Sequence, residues 1–217
     1  MLSVTALRSR IDHIVVTAPS LEVGVDYVRN ALGVIPQAGG VHQRMGTHNC
    51  LLRLGKTVYL EVISIDPSAP NPGRPRWFEL DRKRPNTAPR LATWICRTND
   101  IRAATAVAAS CLGDIETMSR GALHWQITIP ADGSLPFDGT APSLIEWSSE
   151  NHPAESLQDA GCSLLRLEAY HPAAPEISRM LQSIGFEGGF SVQPVSQQQP
   201  ARLVAHIQTP TGIRQLH

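Results

Sequence analysis

The chain lacks long apolar runs and lacks an excess of charge of either sign. No stretch of its 217 residues approaches the roughly 20 apolar residues that a membrane-spanning helix needs. The start, MLSVTALRSR, has no basic segment followed by a sustained apolar run, so we expect no export signal. Nineteen Lys and Arg balance 19 Asp and Glu, which leaves no basic field to attract nucleic acid or an anionic membrane. We expect a cytoplasmic protein that binds a small molecule.

Cysteine is scarce, and several widespread catalytic motifs are missing. The four cysteines form no CxxC pair, which argues against a zinc knuckle and against a redox dithiol. Buried free thiols in a reducing compartment are the simplest interpretation. No GxxxxGKS/T, GxSxG or HExxH pattern occurs. A P-loop, a serine-hydrolase elbow and a zincin-type metal site therefore have no support.

The chain does contain a loose repeat, offset by 80 residues. Residues 11–34 read IDHIVVTAPSLEVGVDYVRNALGV, and residues 91–114 read LATWICRTNDIRAATAVAASCLGD. A strand, a capped helix and a terminal Leu-Gly follow in the same order in both copies, which indicates a duplicated structural unit. At equivalent positions of the first strands stand His13 and Thr93. Whether His13 is a metal ligand or a core histidine is the question on which function depends.

The first unit reads as β-α-β-β-β. Val and Ile around residues 14–16 favour a strand, Ser20 is a candidate N-cap, and Gly33 is placed to end the helix. Turn signals at Gly39-Gly40 and Gly55-Lys56 separate the later apolar stretches. The predicted helix covers residues 21–32, and the predicted later strands cover residues 41–45, 50–54 and 58–65.

The rest of the chain gives a connector, a second unit and a weaker third copy. Residues 66–90 are rich in Pro and Arg and predict a solvated linker with a short helical turn at 77–82. They carry six basic against three acidic residues, so a surface for an acidic partner or substrate is the alternative. In the second unit we predict strands at 91–97, 115–118, 123–129 and 143–148, and a helix from the Asn99 or Asp100 cap through Leu112. In the third copy we predict strands at 164–169, 203–208 and 212–216, a helix at 175–184, and a loose segment at 191–200.

These elements predict an α+β fold. Two tandem βαβββ units, at about 11–65 and 91–150, form a curved mixed sheet around a cleft, and a partial βαββ unit is added. In this prediction residues 1–150 are the paired domain, and residues 160–217 are the third unit packed on it. A homodimer is one expected assembly.

Two glutamates in mid-strand stand out among apolar neighbours. Glu61 lies in TVYLEVISI and Glu146 lies in SLIEWSS, 85 residues further on, at apparently matching places in the two units. Burial of an unpaired carboxylate costs several kcal/mol, so each side chain must face solvent, form a pair or bind a cation.

The paired units resemble the vicinal oxygen chelate superfamily, which includes glyoxalases, bleomycin-resistance proteins and dioxygenases. The resemblance rests on HI in the first strand and on YLEVIS and LIEWS in the last strands, over about residues 11–150. THNCLLRLG and TVYLEVISIDP are similar to its glyoxalase-like domain branch. The resemblance implies a cupped sheet whose first and last strands supply metal ligands. It places these ligands at His13, Glu61 and Glu146, with Thr93 at the fourth position.

The resemblance also implies an activity. A set of one imidazole and two carboxylates suits a divalent ion such as Zn, Mn, Fe, Ni or Co. We expect a lyase or isomerase acting on a small vicinal-oxygen metabolite, with a glutamate such as Glu146 released to act as base. The alternative is a metal-free protein of the bleomycin-resistance type that sequesters a small molecule. A third alternative is an interaction module with a vestigial cleft, which the threonine at position 93 favours. The structural alternative for the residues themselves is that His13 is a core histidine bonded to the backbone and that the glutamates pair with arginines such as Arg53 or Arg97.

Further candidate site residues follow from position within the units. His48 begins a middle strand and is a candidate catalytic proton shuttle, since an imidazole titrates near neutral pH. His124 begins the matching strand of the second unit and is a candidate substrate-binding residue, as is Trp94. Solvent exposure is the alternative for both histidines, and core packing is the alternative for the tryptophan.

Overall fold

The computed structural model describes residues 6–108, 110–148 and 152–217. Within these ranges twelve strands and four α-helices follow one another along the chain. The strands are β1 (Ser9–Thr17), β2 (Gln37–His42), β3 (Thr47–Arg53), β4 (Tyr59–Ile65), β5 (Arg90–Thr98), β6 (Asp114–Arg120), β7 (Leu123–Ile129), β8 (Ser143–Trp147), β9 (Ser163–Tyr170), β10 (Phe190–Gln193), β11 (Arg202–Thr209) and β12 (Gly212–Leu216). The helices are α1 (Leu21–Leu32), α2 (Ile101–Val107), α3 (Pro153–Ser156) and α4 (Ala174–Ser183).

The predicted α+β architecture is confirmed. Eight strands form one curled mixed sheet in the order β2-β3-β4-β1-β5-β8-β7-β6, and four strands form a second sheet in the order β10-β9-β11-β12. None of the helices in the described ranges is long and apolar enough to cross a membrane. The division into domains at 1–150 and 160–217 stays a prediction.

Helix α1 begins and ends where the sequence predicts. The Ser20 hydroxyl accepts a hydrogen bond from the Val23 N–H at 3.3 Å, and Gly33 adopts the left-handed conformation with φ of 74°. The side of α1 that faces the large sheet buries Val28 and Leu32. Helix α2 is shorter than the predicted 100–112: Asp100 caps it, but it ends at Val107, and residue 109 lies outside the described ranges.

The two central strands of the large sheet carry the duplication. Strands β1 and β5 are antiparallel neighbours, with His13 opposite Ile95 and Val15 opposite Thr93. His13 and Thr93 are 80 positions apart, and so are Val15 and Ile95, as an approximate two-fold axis between the units requires. Each strand also has one extra residue at the matching place, Asp12 in β1 and Ala92 in β5. This symmetry agrees with the offset of the sequence repeat.

Two strand regions also differ from the prediction. Gly39 and Gly40 form no turn but lie within β2, at an irregularity in its pairing with β3. The segment expected to be loose at 191–200 contains most of β10, which pairs in parallel with β9. The third unit is therefore β-α-β-β-β rather than the predicted βαββ.

The two faces of the large sheet have separate cores. The outer face packs against helices α1 and α2, and the second sheet and α4 complete that core. The inner face is covered by the connector, residues 66–90. Its side chains Trp77, Phe78 and Leu80 are at most 5% exposed among residues of the inner core. The predicted helical turn at Trp77–Arg82 is present as a 3-10 segment. The prediction of a solvated linker is wrong for this turn, because its side chains are buried against the inner face of the large sheet.

Candidate functional site

The candidate site is a small cavity on the inner face of the large sheet, called here the first cavity. Its volume is about 30 Å³, which is roughly the share of one water molecule in the liquid. Trp77 and Phe78 of the connector form part of its wall, and Trp125 and Trp147 form another part. Its polar residues are His13, His42, Asn49, Tyr59, Glu61 and Arg120.

The structure brings His13 and Glu61 together. Strands β1 and β4 are parallel neighbours, and both side chains point to the inner face, where they are 4% and 5% exposed. The distance from His13 Nε2 to Glu61 Oε2 is 3.7 Å. The His13 ring also stacks on Tyr59, with 4.4 Å between the ring centroids. One nitrogen and one carboxylate oxygen therefore converge on the same small space.

Asp12 holds the imidazole of His13 in place. As the extra residue of its strand, Asp12 lies beside His13 instead of on the opposite face, and its Oδ1 accepts a hydrogen bond from His13 Nδ1 at 2.7 Å. Its Oδ2 accepts from Trp147 Nε1 and from His152 Nε2, each at 3.0 Å. With the Nδ1 proton used in this way, the lone pair of His13 Nε2 is directed into the cavity.

The electrostatics of Asp12 fit this role. Burial would raise the pKa of this carboxyl, but the hydrogen bonds that it accepts from His13 and His152 outweigh burial and lower the pKa well below its usual value. Asp12 is therefore ionised throughout the physiological range. Burial, with the nearby charges of Asp12 and Glu61, raises the pKa of Tyr59, so its phenol stays protonated.

The opposite oxygen of Glu61 is bound by an amide. Glu61 Oε1 accepts a hydrogen bond from Asn49 Nδ2 at 2.5 Å. Asn49 Oδ1 in turn accepts from the Gly40 N–H at 2.8 Å and lies 3.3 Å from Arg120. A Cβ atom on Gly39 would lie 2.1 Å from Asn49 Oδ1, so this glycine is needed for the amide to pack against the strand.

Arg120 and His42 complete the polar wall. The Arg120 guanidinium comes from β6 of the second unit and lies 3.4 Å from His42 Nε2. Burial lowers the pKa of His42 to about 4, although the Glu61 carboxylate opposes the shift and Arg120 adds to it. His42 is therefore neutral at pH 7 and accepts from the guanidinium.

Glu146 does not join His13 and Glu61. Ile145 and Trp147 line the first cavity, and Glu146 between them points to the outer face, where its Oε2 accepts from the Ile101 N–H at 2.7 Å. Within the described ranges, no three His, Cys, Asp or Glu side chains are grouped to hold one metal ion. The predicted three-ligand set is therefore wrong in its third member.

The strand register explains this error. Glu61 lies opposite Val15 of its neighbouring first strand, and the matching pair in the second unit is Ser143 opposite Ile95. Ser143 is thus the structural counterpart of Glu61, and Glu146 falls three positions later. The similar sequences YLEVIS and LIEWS hide this shift. Because the shift is an odd number of residues, it moves the side chain from one face of the sheet to the other. Thr93, the counterpart of His13, is fully buried.

The other predicted site residues lie outside the first cavity. His48 points away from it and lies 2.9 Å from Ser64 Oγ, while its neighbour Asn49 faces the cavity. His124 is exposed, and the next residue, Trp125, forms the wall. Trp94 is fully buried in the outer core, where its Nε1 donates to the Thr140 carbonyl. The structure therefore does not bring His48, His124 or Trp94 to the first cavity, because each side chain leaves the inner face, and their candidate roles stay predictions.

The sequence analysis missed several residues that line or support the site. They are Asp12, His42, Asn49, Tyr59, Trp77, Phe78, Arg120 and His152. The period-2 alternation of β3 and β4 offered a signal for Asn49 and Tyr59, because each is in phase with an inner-face residue. The contribution of the connector has no such local signal.

Comparison with known proteins gives a family match. Residues 11–185 match the model of a family described as a glyoxalase-like domain. No curated protein matches the chain. Among solved structures, the chain is similar to a hypothetical protein from Staphylococcus aureus, with 13% identity, a TM-score of 0.62, and coverage of 96% of this chain and 98% of that one.

Weaker similarities extend to two named enzymes. The Mn(II)-bound glyoxalase from Novosphingobium aromaticivorans has 7% identity, a TM-score of 0.46, and coverage of 94% of this chain and 80% of that one. Methylmalonyl-CoA epimerase from Mycobacterium tuberculosis has 16% identity, a TM-score of 0.38, and coverage of 63% of this chain and 85% of that one.

Proposed function

The chain belongs to the glyoxalase-like domain family of the vicinal oxygen chelate superfamily, and we propose that it is a metal-dependent lyase or isomerase acting on a small vicinal-oxygen metabolite. One observation carries the proposal. His13 Nε2 and Glu61 Oε2 lie 3.7 Å apart. Both face a cavity of about 30 Å³.

The two donors fit one divalent ion. Imidazole nitrogen and carboxylate oxygen bind Zn²⁺ at about 2.0 to 2.2 Å, so two such donors on one ion lie roughly 3 to 4 Å apart. Asp12 supplies the outer carboxylate that metal-binding histidines commonly have. His13 and Glu61 would be the protein ligands, and the other positions would be open to water and substrate. A bound divalent ion supplies Lewis acidity at the substrate's oxygen atoms.

The surrounding side chains support binding and proton transfer. Arg120 offers a fixed positive charge to an anionic oxygen of the substrate. Trp77 and Phe78 cover the cavity and exclude water. Because the first cavity is so small, a metabolite of more than a few atoms needs this part of the connector to move. If substrate displaces Glu61, its carboxylate is the base; a pH–rate profile unchanged by Glu61→Gln would overturn that step.

Metal content tests the proposal directly. We expect about one divalent ion per chain after purification without chelator or after reconstitution, measured by elemental analysis. His13→Ala and Glu61→Gln should lose it. Glu146→Gln is the matched control, because the same change on the outer face should leave the metal content unaltered. Equal metal content in all four proteins, or none in the parent, contradicts the proposed site.

A metal-free binding protein is the second candidate. It is favoured by the aromatic walls, in which Trp125 and Trp147 lie 5.3 Å apart between centroids, and by the hydroxyl side chains Thr93 and Ser143 at the other two positions of the cup. Such a protein should bind its ligand stoichiometrically with or without EDTA. The enzyme should lose turnover of 2-oxoaldehydes or related compounds on chelation and should keep its fold.

A further inference from the structure

A second and larger cavity lies at the start of β1 and the ends of β5 and β8. Its volume is about 560 Å³, within the range of about 300 to 1,000 Å³ that is typical of small-molecule sites. Trp147 belongs to the walls of both cavities. Glu187, which follows α4, also lines this cavity, so the third unit contributes to its wall. We call it the arginine cavity.

Positive charge dominates the arginine cavity. Arg8, Arg10 and Arg97 line it, against Glu146 and Glu187. Glu146 is already engaged, since its Oε2 accepts from the Ile101 N–H. Among the residues that the structure describes, no ion pair within 4.0 Å joins the side chain of Arg8 or Arg10 to a carboxylate, and the only one made by Arg97 is long. Within the described ranges the three guanidinium groups outnumber the two carboxylates on this wall, and no ion pair within 4.0 Å joins them.

Arg97 is the least satisfied of the three. Its side chain is only 16% exposed. Within the described ranges, Nε and Nη2 are enclosed without a hydrogen-bond partner. The nearest carboxylate oxygen is Asp12 Oδ2, at 3.7 Å from Nε, and that oxygen already accepts from Trp147 and His152. A guanidinium that is removed from water without gaining hydrogen-bond partners is destabilised. An anion that the Arg97 side chain can reach by rotating would supply these partners and would therefore be bound favourably.

We propose that the arginine cavity binds a small organic anion carrying a carboxylate or phosphate group. Arg97 and Arg10 supply the charge, with Arg8 beside them. The indole of Trp147 offers an apolar surface for the rest of the ligand. This site is separate from the first cavity, and its ligand requires neither His13 nor a metal.

The test measures anion binding at low ionic strength. Inorganic phosphate and succinate are titrated against the whole protein by calorimetry and by tryptophan fluorescence, with succinamide as the uncharged analogue. We expect saturable one-site binding of at least one anion, which also identifies the preferred group, and no binding of succinamide. Arg97→Gln and Arg10→Gln should each weaken binding by about tenfold, as expected from loss of a charged hydrogen bond.

Controls separate this site from the first cavity. Arg102→Gln changes an exposed arginine outside the arginine cavity and should bind as the parent does. His13→Ala should also bind normally, whatever the outcome of the metal experiment. Arg10 is exposed, so its variant keeps the test valid even if Arg97→Gln fails to fold. No saturable binding, parental affinity in Arg10→Gln, or loss of binding in His13→Ala would overturn the proposal.

Discussion

The two halves of the large sheet share a backbone plan but differ in the chemistry of their inner faces. Strands β1 and β5 have their extra residues at matching places, yet Asp12 and His13 in the first unit stand where Ala92 and Thr93 stand in the second. The last strands repeat the contrast, with Glu61 in one unit and its counterpart Ser143 in the other. The bulge is thus a feature of the backbone that both units keep, and the ionisable side chains are concentrated in the first unit.

The largest expected effect comes from making the first unit resemble the second at the bulge. Asp12→Ala leaves the donors of His13, His152 and Trp147 buried without their acceptor. Loss of one partner from a buried charged cluster costs about 3 to 5 kcal/mol, and we expect a decrease of that size in the free energy of unfolding, measured with urea.

The matched control is Asp26→Ala. Asp26 pairs with Arg29 on the exposed side of α1, and its side chain is 48% exposed, so its loss should cost less than about 1 kcal/mol. A similar decrease in the free energy of unfolding for both substitutions would mean that the buried Asp12 cluster stabilises the fold no more than an exposed ion pair does.

The second prediction concerns acid stability. Because burial lowers the pKa of His42 from 6.5 to about 4, the folded state resists protonation that the unfolded chain accepts. The contribution of neutral His42 to the free energy of unfolding is complete above pH 6.5. It is lost as the pH falls toward 4, which lowers the free energy of unfolding by roughly 3 kcal/mol. Asp12, whose pKa is also lowered, loses its contribution only below its unfolded value of 3.8, so the two pH windows are distinct.

Paired histidine variants can isolate this effect. The free energy of unfolding of His42→Gln should vary less between pH 7 and 4 than that of the parent. His124→Gln, an exposed change in the second unit, should follow the parent curve. Parallel curves for the parent and His42→Gln would show that the acid sensitivity does not originate in this residue.

The smallest effect is expected at Glu146. In Glu146→Gln the amide oxygen still accepts from the Ile101 N–H, and only the interaction of the charge with the start of α2 is lost. Such an interaction contributes about 0.3 to 1 kcal/mol, which thermal unfolding can resolve. A much larger loss would show that Glu146 has a structural role in the second unit that the hydrogen bond does not explain.

The elements that the sequence predicted best are those with local signals. Helix α1 has a serine cap, a regular apolar spacing and a glycine at its end, and all three determine structure within a few residues. The pairing of the units followed from the repeat. The convergence of His13 with Glu61 depended on the resemblance to a family, and their role as ligands stays a prediction.

What the sequence could not provide was register and long-range packing. A shift of three positions between the last strands moved Glu146 to the outer face, and no local pattern reveals such a shift. The bulge at Asp12 broke the simple alternation that would have placed Asp12 and His13 on opposite faces. Arg120 reaches Asn49 across 71 positions of sequence, a contact that exists only once the sheet curls.

The position of the connector has a consequence for how such a protein changes over time. Trp77 and Phe78 set the size of the first cavity, yet they belong to neither duplicated unit. Phe78 and Glu79 also adopt positive φ angles of 58° and 55°, a costly conformation for residues other than glycine. Substitution or lengthening of this one segment can therefore alter the size and lining of the first cavity, while the strands that carry His13 and Glu61 keep their sequence.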